Sequence, residues 1–304
     1  MAFPSYLEFS ISELKDKVKI LMDRLERCDL CGRKCMINRY KSKSFCNSGV
    51  DIIISSYGPH FGEESIISGT RGSGTIFFTN CPMKCVYCQN YTISQLQQGY
   101  KIDEEQLASI MLELQQRGCH NINLVTPTHF APQIFKSAII AIENGLKIPF
   151  VYNCGGYENP EVLKIIEGFV DIYMPDAKYG CNENGYRYSG VIDYWDVNKK
   201  CLIEMKRQVG DIILDDENVA KRGLLIRHLV LPNDISCTEN VLRFIKEKLG
   251  ENTWISLLSQ YHPEYKAHQF PEINRTLNRN EYRKAVEITK KYGFKNVLYQ
   301  GFLL

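Results

Sequence analysis

A regular alternation of apolar strands and helices runs from residue 74 to residue 304, and it restricts the possible folds more than any other feature of the sequence. Six apolar runs are expected as strands: 75–79, 122–126, 149–154, 170–175, 224–231 and 253–258. Six helices are expected at 104–117, 132–144, 160–167, 194–209, 238–249 and 281–292. Strands that alternate with helices form parallel sheets, and near-continuous apolar strands are typical of a sheet buried on both faces. We therefore expect an α/β fold whose sheet curls into a partial (β/α)6 barrel.

The residues before this alternation have a different character. Residues 10–27 place apolar side chains at helical spacing behind a Ser-x-x-Glu cap. Residues 51–55 are expected as a short strand, and the stretch from Gly58 to Glu64 is expected to be rich in turns. No linker rich in Pro, Gly or Ser interrupts residues 74–304. The chain is therefore divided into an N-terminal segment, 1–73, and one barrel domain, 74–304.

Composition excludes several classes of protein. A chain of 304 residues with 44% hydrophobic residues can bury a large core, and a net charge of +2 gives no electrostatic footprint for nucleic acid. No signal-peptide pattern is evident, and no run approaches the roughly 20 apolar residues that cross a bilayer. We therefore expect a cytoplasmic protein without a membrane segment. Its twelve cysteines then indicate metal or redox chemistry rather than disulfides.

Three cysteines stand in one loop directly after the first predicted barrel strand, with the spacing C-x3-C-x2-C. They are Cys81, Cys85 and Cys88. Three thiolates this close together suit a cubic iron-sulfur cluster, because each sulfur binds a different iron and the fourth iron stays open for a small molecule. Buried structural thiols and a zinc knuckle are the alternatives. Zinc sites usually add a second pair of ligands at short spacing, so the motif favours a 4Fe-4S cluster.

Four further cysteines lie in a polar segment of the N-terminal region, with the spacing C-x2-C-x3-C-x10-C. They are Cys28, Cys31, Cys35 and Cys46. A bound metal explains them best, because such a polar segment gains little by burial alone. Zinc would staple the segment, whereas a second iron-sulfur cluster could relay electrons to the first. Zinc is the commoner use of four such cysteines, and unligated thiols are disfavoured because exposed cysteines oxidise.

Polar residues also lie at or near the ends of the predicted strands, where α/β enzymes bind their ligands. Lysine and amide groups can pair with a carboxylate, and an aspartate accepts from hydroxyl or ammonium donors. A surface ion pair or an ordinary turn is the alternative at each position. The loop residues His60, Glu63 and Glu64 could touch substrate, although such side chains are more often solvated. Among the scattered cysteines, Cys154 is the one placed to face a substrate.

These motifs resemble the radical S-adenosylmethionine (SAM) superfamily, including the aromatic Tyr87 before the third cysteine. Over residues 28 to about 300 the sequence is similar to the PflX-type branch of the pyruvate formate-lyase activating enzyme-like proteins. The matching stretches are Cys28-x-Leu30-Cys31, 123–129, 171–176 and 227–232.

The resemblance implies a radical SAM partial barrel in which a reduced 4Fe-4S cluster cleaves SAM to a 5′-deoxyadenosyl radical. That radical abstracts hydrogen from a substrate, and activating enzymes take it from a glycine of a partner protein. A one-electron donor such as flavodoxin or ferredoxin is implied. The alternatives are radical modification or methylation of another peptide, a nucleoside or a small metabolite. Two further classes are a non-catalytic carrier of two clusters and a zinc-stapled binding module.

The resemblance assigns Asn90, Asp176, Lys178 and His262 by position, and the other site residues are expected because they lie in the cysteine motif or near the strand ends. Residues expected around SAM are Tyr87, Asn90, Thr126, Asn153, Asp176, Lys178 and His262. Residues expected to face substrate are His129 and Arg227. Activating enzymes usually carry Gly-Gly-Glu after the second strand to contact the SAM amino group, and this chain has Thr126-Pro127-Thr128 there. Hydroxyl groups and backbone carbonyls would have to replace that contact.

Overall fold

The computed structural model describes residues 3–301. Its strands are β1 (Ile52–His60), β2 (Ser73–Phe78), β3 (Tyr100–Ile102), β4 (Ile122–Val125), β5 (Phe150–Cys154), β6 (Ile172–Pro175), β7 (Ile213–Leu214), β8 (Ala220–Leu229), β9 (Trp254–Leu258) and β10 (Val297–Tyr299). Its α-helices are α1 (Ile11–Asp23), α2 (Ser65–Ser68), α3 (Tyr91–Ser94), α4 (Glu104–Gln116), α5 (Ala131–Glu143), α6 (Pro160–Ile165), α7 (Asn182–Ser189), α8 (Tyr194–Val209), α9 (Thr238–Lys248) and α10 (Arg279–Lys291).

The strands form one sheet in the order β10-β9-β8-β6-β5-β4-β2-β1-β3, with β7 beside β8. The strands from β2 to β10 along this path are parallel to their neighbours, whereas β1 is antiparallel to both β2 and β3. All six predicted barrel strands are present and lie side by side in chain order. The expected α/β partial barrel is confirmed. Its parallel strands bring the loops that follow them to one edge of the sheet.

The hydrophobic core lies between the sheet and the helices around it. On the sheet, Ile122 and Leu124 of β4 are fully buried, and on α4 so are Leu107 and Met111. Helix α4 packs against α5, and each begins where the sequence favours a start. A capping box at Asp103 opens α4, and a proline in the first turn opens α5.

Several boundary predictions were wrong, and several short elements were missed. Strand β1 continues to His60 through the stretch expected to be turns, because residues 56–60 pair with β2. Helix α1 ends at Asp23 rather than at residue 27. The missed elements are α2, α3, β3, α7, β7 and β10, which are short or polar and so carry little periodic signal.

The N-terminal segment packs on the barrel. Helix α1 begins with the expected capping box between Ser10 and Glu13 and contacts α5 and α6. The four-cysteine segment joins the barrel where Cys31 pairs as an isolated β-bridge with Glu158. The division of the chain at residue 73 stays a prediction. No helix within residues 3–301 is both long and apolar enough to cross a membrane.

Candidate cofactor site at the carboxyl ends of the strands

The loop between β2 and α3 holds the three cysteines of the C-x3-C-x2-C motif. Each of the three sulfurs has a hydrogen-bond partner. The pairs are Cys81 Sγ with the Met83 N–H at 3.4 Å, Cys85 Sγ with Ser189 Oγ at 3.0 Å, and Cys88 Sγ with Ser94 Oγ at 3.1 Å. Polar hydrogens directed at sulfur stabilise the thiolate form that binds iron. This arrangement fits the ligand set of a 4Fe-4S cluster.

Charge around the three thiols also suits a cluster. Burial raises the pKa of Cys81 to about 12 and also raises the pKa of Cys88. Metal coordination would have to favour their thiolates, as it does at thiolate sites generally. Lys178 lies close enough to Cys85 for their electrostatic attraction to contribute to the raised pKa of the lysine. A cationic group therefore lies next to the site where negative sulfur ligands are expected.

The three cysteines line a cavity of about 140 Å³, here called the cluster cavity, together with residues from the ends of several strands. Its polar lining includes most of the predicted SAM residues: Asn90, Thr126, Asn153, Asp176 and Lys178. Arg227 and Cys154 also line it. The structure thus brings together side chains that lie up to 146 positions apart in the sequence, from Cys81 to Arg227.

A network of charged side chains forms one wall of the cluster cavity. Asp176 accepts from Lys178 Nζ at 2.5 Å and from Arg227 Nε at 3.1 Å. Arg227 also donates to Asn153 Oδ1 at 2.7 Å and lies 3.6 Å from Glu63. Burial acts to raise the pKa of Asp176, but Arg227 and Lys178 hold it below its ordinary value. The aspartate is therefore ionised and its position is fixed from two sides.

A second and larger cavity of about 660 Å³, here called the barrel cavity, adjoins the first. The two share Asn90, Val125, Asn153 and Arg227 in their walls. The barrel cavity also contains His60, Glu63 and Glu64, the three loop residues for which a contact with substrate was left open. Burial raises the pKa of Glu63, against the attraction of Arg227.

Three residues from the predicted set lie outside both cavities. Tyr87 is buried beneath the cysteine loop, with its ring edge-on to Tyr261. His129 is 2% exposed and bonds through Nε2 to the Thr79 carbonyl, and burial lowers its pKa to about 3. The side chain of His262 is 51% exposed and lies 3.3 Å from Glu264. A direct contact from these three side chains to SAM or substrate stays a prediction.

The four N-terminal cysteines line one small cavity together with Pro82. This cavity lies next to the loop that carries Cys81, Cys85 and Cys88, here called the catalytic loop after its proposed role. Arg33 connects the two loops, because its guanidinium donates to the carbonyls of Pro82, Ser189 and Gly190. Within residues 3–301, no three His, Cys, Asp or Glu side chains are arranged to hold a single metal ion. The identity of a metal at Cys28, Cys31, Cys35 and Cys46 stays a prediction.

Sequence analysis missed three contributors to this site. Ser94 and Ser189 contact the cysteine sulfurs, and Arg33 supports the loop that carries them. Ser189 lies 104 positions from Cys85, so no local pattern signals the contact. Ser94 could have been found by its position at the end of the first helix after the cysteines, and Arg33 by its place between two cysteines.

Comparison with known proteins identifies the class. Residues 75–210 match the family described as the Radical SAM superfamily. Over 297 residues the chain is 34% identical to the uncharacterized protein MJ0674 of Methanocaldococcus jannaschii, covering 94% of this chain and 81% of that protein. The chain belongs to the radical SAM superfamily, which implies SAM and a 4Fe-4S cluster as cofactors.

One solved structure supports the same fold, and a second shows a likeness only. SuiB of Streptococcus suis matches with a TM-score of 0.50 and 14% identity, over 74% of this chain and 48% of SuiB. A domain of a pyruvate-formate lyase-activating enzyme from Bacteroides vulgatus matches with a TM-score of 0.38 and 13% identity, over 65% of this chain and 91% of that domain.

Proposed function

We propose that this protein is an enzyme that binds a 4Fe-4S cluster through Cys81, Cys85 and Cys88 and abstracts hydrogen from a substrate in the barrel cavity. When bound, the cluster and SAM supply reductive cleavage to a 5′-deoxyadenosyl radical. The carrying observation is that the three cysteines and five of the predicted SAM residues line one cavity. An electron carrier would need no such set of polar side chains at the strand ends.

The chain's own residues have distinct tasks in this proposal. Lys178 and Asn90 offer donors to the SAM carboxylate, because ammonium and amide N–H groups pair with carboxylates. Asp176 offers an ionised acceptor to hydroxyl or ammonium groups of SAM. Thr126 lies in the cluster cavity, where its hydroxyl and backbone can replace the missing Gly-Gly-Glu contact. The buried walls of the barrel exclude water from the radical.

The substrate proposed from the resemblance is a glycine of a partner protein, with flavodoxin or ferredoxin as the electron donor. Radical modification or methylation of another peptide, nucleoside or metabolite is the rival. A labelled SAM methyl group separates methylation from hydrogen abstraction, because hydrogen abstraction from any substrate leaves the label in methionine, whereas methylation moves it to the substrate.

The test is an anaerobic assay of reconstituted, dithionite-reduced protein with SAM, in which the nucleoside products are separated by chromatography. We expect 5′-deoxyadenosine from the wild type and none from Cys85→Ala. A matched control is Cys119→Ala, because Cys119 is buried in the loop between α4 and β4 and lies outside both cavities. A wild-type protein with a fully loaded cluster that yields no 5′-deoxyadenosine would contradict the proposal.

We also propose that the four N-terminal cysteines bind a metal, either zinc or a second iron-sulfur cluster. Their common cavity beside the catalytic loop supports the proposal. The test is iron, sulfide and zinc analysis of a variant in which Cys81, Cys85 and Cys88 are all alanine. Zinc near one equivalent identifies a staple, whereas about four irons with labile sulfide identify a second cluster. Absence of both refutes a metal at this segment.

A further inference from the structure

One carboxylate oxygen in the wall of the barrel cavity, Oε2 of Glu64, accepts no hydrogen bond within residues 3–301, although the charge of Arg227 attracts that carboxylate. The Glu63 carboxylate already has partners in the protein, because it accepts from Asn123 Nδ2 at 3.2 Å and lies 3.6 Å from Arg227. Glu64, the next residue in the same wall, has a buried Oε2 that accepts no hydrogen bond from any residue in the range 3–301. An unsatisfied buried oxygen costs free energy, so a rotation of the Glu64 side chain that turns this oxygen towards a donor on a ligand is favoured.

The positively charged side chain in the cavity wall, Arg227, already has hydrogen-bond and ion-pair partners in the protein. Arg227 is the one lysine or arginine that lines the barrel cavity in the described part of the chain. It donates to Asp176 and Asn153 and lies beside Glu63. A carboxylate or phosphate of a substrate would therefore meet two glutamates and, besides His60, no basic side chain of the described residues other than the paired Arg227. The electrostatics select against an anionic group and in favour of a cationic one.

The remaining wall suits a hydrocarbon chain. Apolar surface is supplied by Phe77, Leu258 and Leu298. The side-chain oxygen of Gln260 in the same wall already accepts a hydrogen bond from Gln300 Nε2 at 2.7 Å. A volume of about 660 Å³ lies within the range of small-molecule sites. An alkyl chain that ends in a charged nitrogen can lie along the apolar side chains while its head reaches a carboxylate.

The geometry points to a substrate that enters the barrel cavity with an ammonium or guanidinium group, which donates to Glu64. The substrate class is a primary amine or a guanidine, either free or as a side chain of a peptide. This inference rests on the proposed function in one respect, namely that the cavity next to the SAM site holds the substrate.

The test is isothermal titration calorimetry of anaerobically reconstituted protein with SAM, using probes in charged and neutral pairs. The peptide-like probes are Nα-acetylarginine methylamide against Nα-acetylcitrulline methylamide, and Nα-acetyllysine methylamide against Nα-acetylnorleucine methylamide. The free amine is cadaverine against pentan-1-ol. We expect at least one charged probe to bind tenfold or more tightly than its neutral partner. Tighter binding of the peptide-like probes assigns a peptide source, and tighter binding of cadaverine assigns a free amine.

Variants at Glu64 decide the mechanism of that selectivity. Glu64→Gln keeps the volume and removes the charge, so we expect the charged-over-neutral preference to fall at least tenfold. Glu64→Asp keeps the charge and should retain part of the preference, while Glu105→Gln, at an exposed position of α4, should retain all of it. Melting curves check that each variant is folded.

Three outcomes would overturn the inference: no charged probe binds, charged and neutral probes bind alike, or Glu64→Gln leaves the preference intact. Binding is measured without SAM cleavage. A wild-type protein that forms no 5′-deoxyadenosine but prefers cations would therefore refute the proposed function alone, and active protein without that preference would refute this inference alone.

Discussion

Replacing Arg227 with methionine is expected to destabilise the protein by about 3 kcal/mol at pH 8. The substitution removes the donors to Asp176 at 3.1 Å and Asn153 at 2.7 Å, together with the charge beside Glu63. Removing one partner of a buried ion pair costs roughly 3–5 kcal/mol. We take the low end because a fifth of the Arg227 side chain, 20%, reaches solvent.

The expected loss depends on pH, and the sign follows from the two carboxylates. Without Arg227, the largest influence that lowers the pKa of Glu63 is gone, so burial and the repulsion of Glu64 raise that pKa further against only His60 and the Asn123 hydrogen bond. The pKa of Asp176 rises as well, because one of its two cationic partners is gone. A raised carboxyl pKa gives stability that is present at low pH and lost as the pH rises through the folded-state pKa. The deficit of Arg227→Met is therefore smaller at pH 5 than at pH 8.

The assay is urea unfolding of reconstituted protein under anaerobic conditions, followed by circular dichroism at pH 5 and pH 8. Combining the variant with Glu63→Gln should recover part of the loss, since the double variant no longer buries that unpaired charge. The control is Arg283→Met on the exposed face of α10, expected to change the free energy of unfolding by no more than about 0.5 kcal/mol. A deficit below about 1 kcal/mol at pH 8, or one equal at both pH values, would refute the reasoning.

Three other predictions concern different parts of the barrel. Burial raises the pKa of Asp171 from 3.8 to about 6, so the wild type loses free energy of unfolding as the pH rises and this carboxyl ionises. Relative to the wild type, Asp171→Asn should therefore gain up to about 3 kcal/mol in free energy of unfolding between pH 4 and pH 8, measured by urea unfolding. A Cβ on Gly156, where φ is +72°, would lie 2.1 Å from the Asp176 carbonyl oxygen, so Gly156→Ala should lower the melting temperature and the SAM affinity in equilibrium dialysis. The sulfurs of Cys181 and Cys237 lie 2.8 Å apart, so diamide should link them in a disulfide that mass spectrometry detects and dithiothreitol reverses. Unchanged stability profiles, or two free thiols after diamide, would contradict the respective prediction.

Local pattern in the sequence was sufficient for the barrel. Apolar runs and helical periodicity identified all six barrel strands and the longest helix between each consecutive pair, and α8 has the predicted bounds, 194–209. The three cysteines of the cluster were identifiable because the C-x3-C-x2-C spacing is itself the chemical signal. Asp176 and Lys178 were identifiable because both stand at the end of one predicted strand.

Contacts between distant residues were not accessible in this way. The extension of β1 to His60 depends on its pairing with β2, and the approach of Cys181 to Cys237 joins loops 56 positions apart. His129 follows a strand in the sequence, yet its side chain is directed to the Thr79 carbonyl rather than into either cavity. A single sequence carries residue types and periodicity, but these orientations are decided by tertiary packing.

Arg33 connects the two cysteine segments and leads to the last prediction. Its guanidinium donates to the Pro82 carbonyl at 2.5 Å and to the Ser189 and Gly190 carbonyls at 3.0 Å, while its Cζ atom lies 3.7 Å from the centre of the Phe45 ring. Ser189 in turn donates to the sulfur of Cys85, so the backbone that Arg33 holds also positions a contact to the proposed cluster.

Lysine keeps the charge at this position but loses the planar fork that bonds several carbonyls at once. Arg33→Lys should therefore leave the protein folded but change the electron paramagnetic resonance spectrum of the reduced catalytic cluster and hasten its loss in air. The control is Arg24→Lys, because Arg24 pairs with Asp29 at 2.6 Å and makes no bond to the catalytic loop within the described residues. If the Arg33→Lys spectrum and decay rate equal those of the wild type, the N-terminal segment and the catalytic loop are independent in function even though they are in contact.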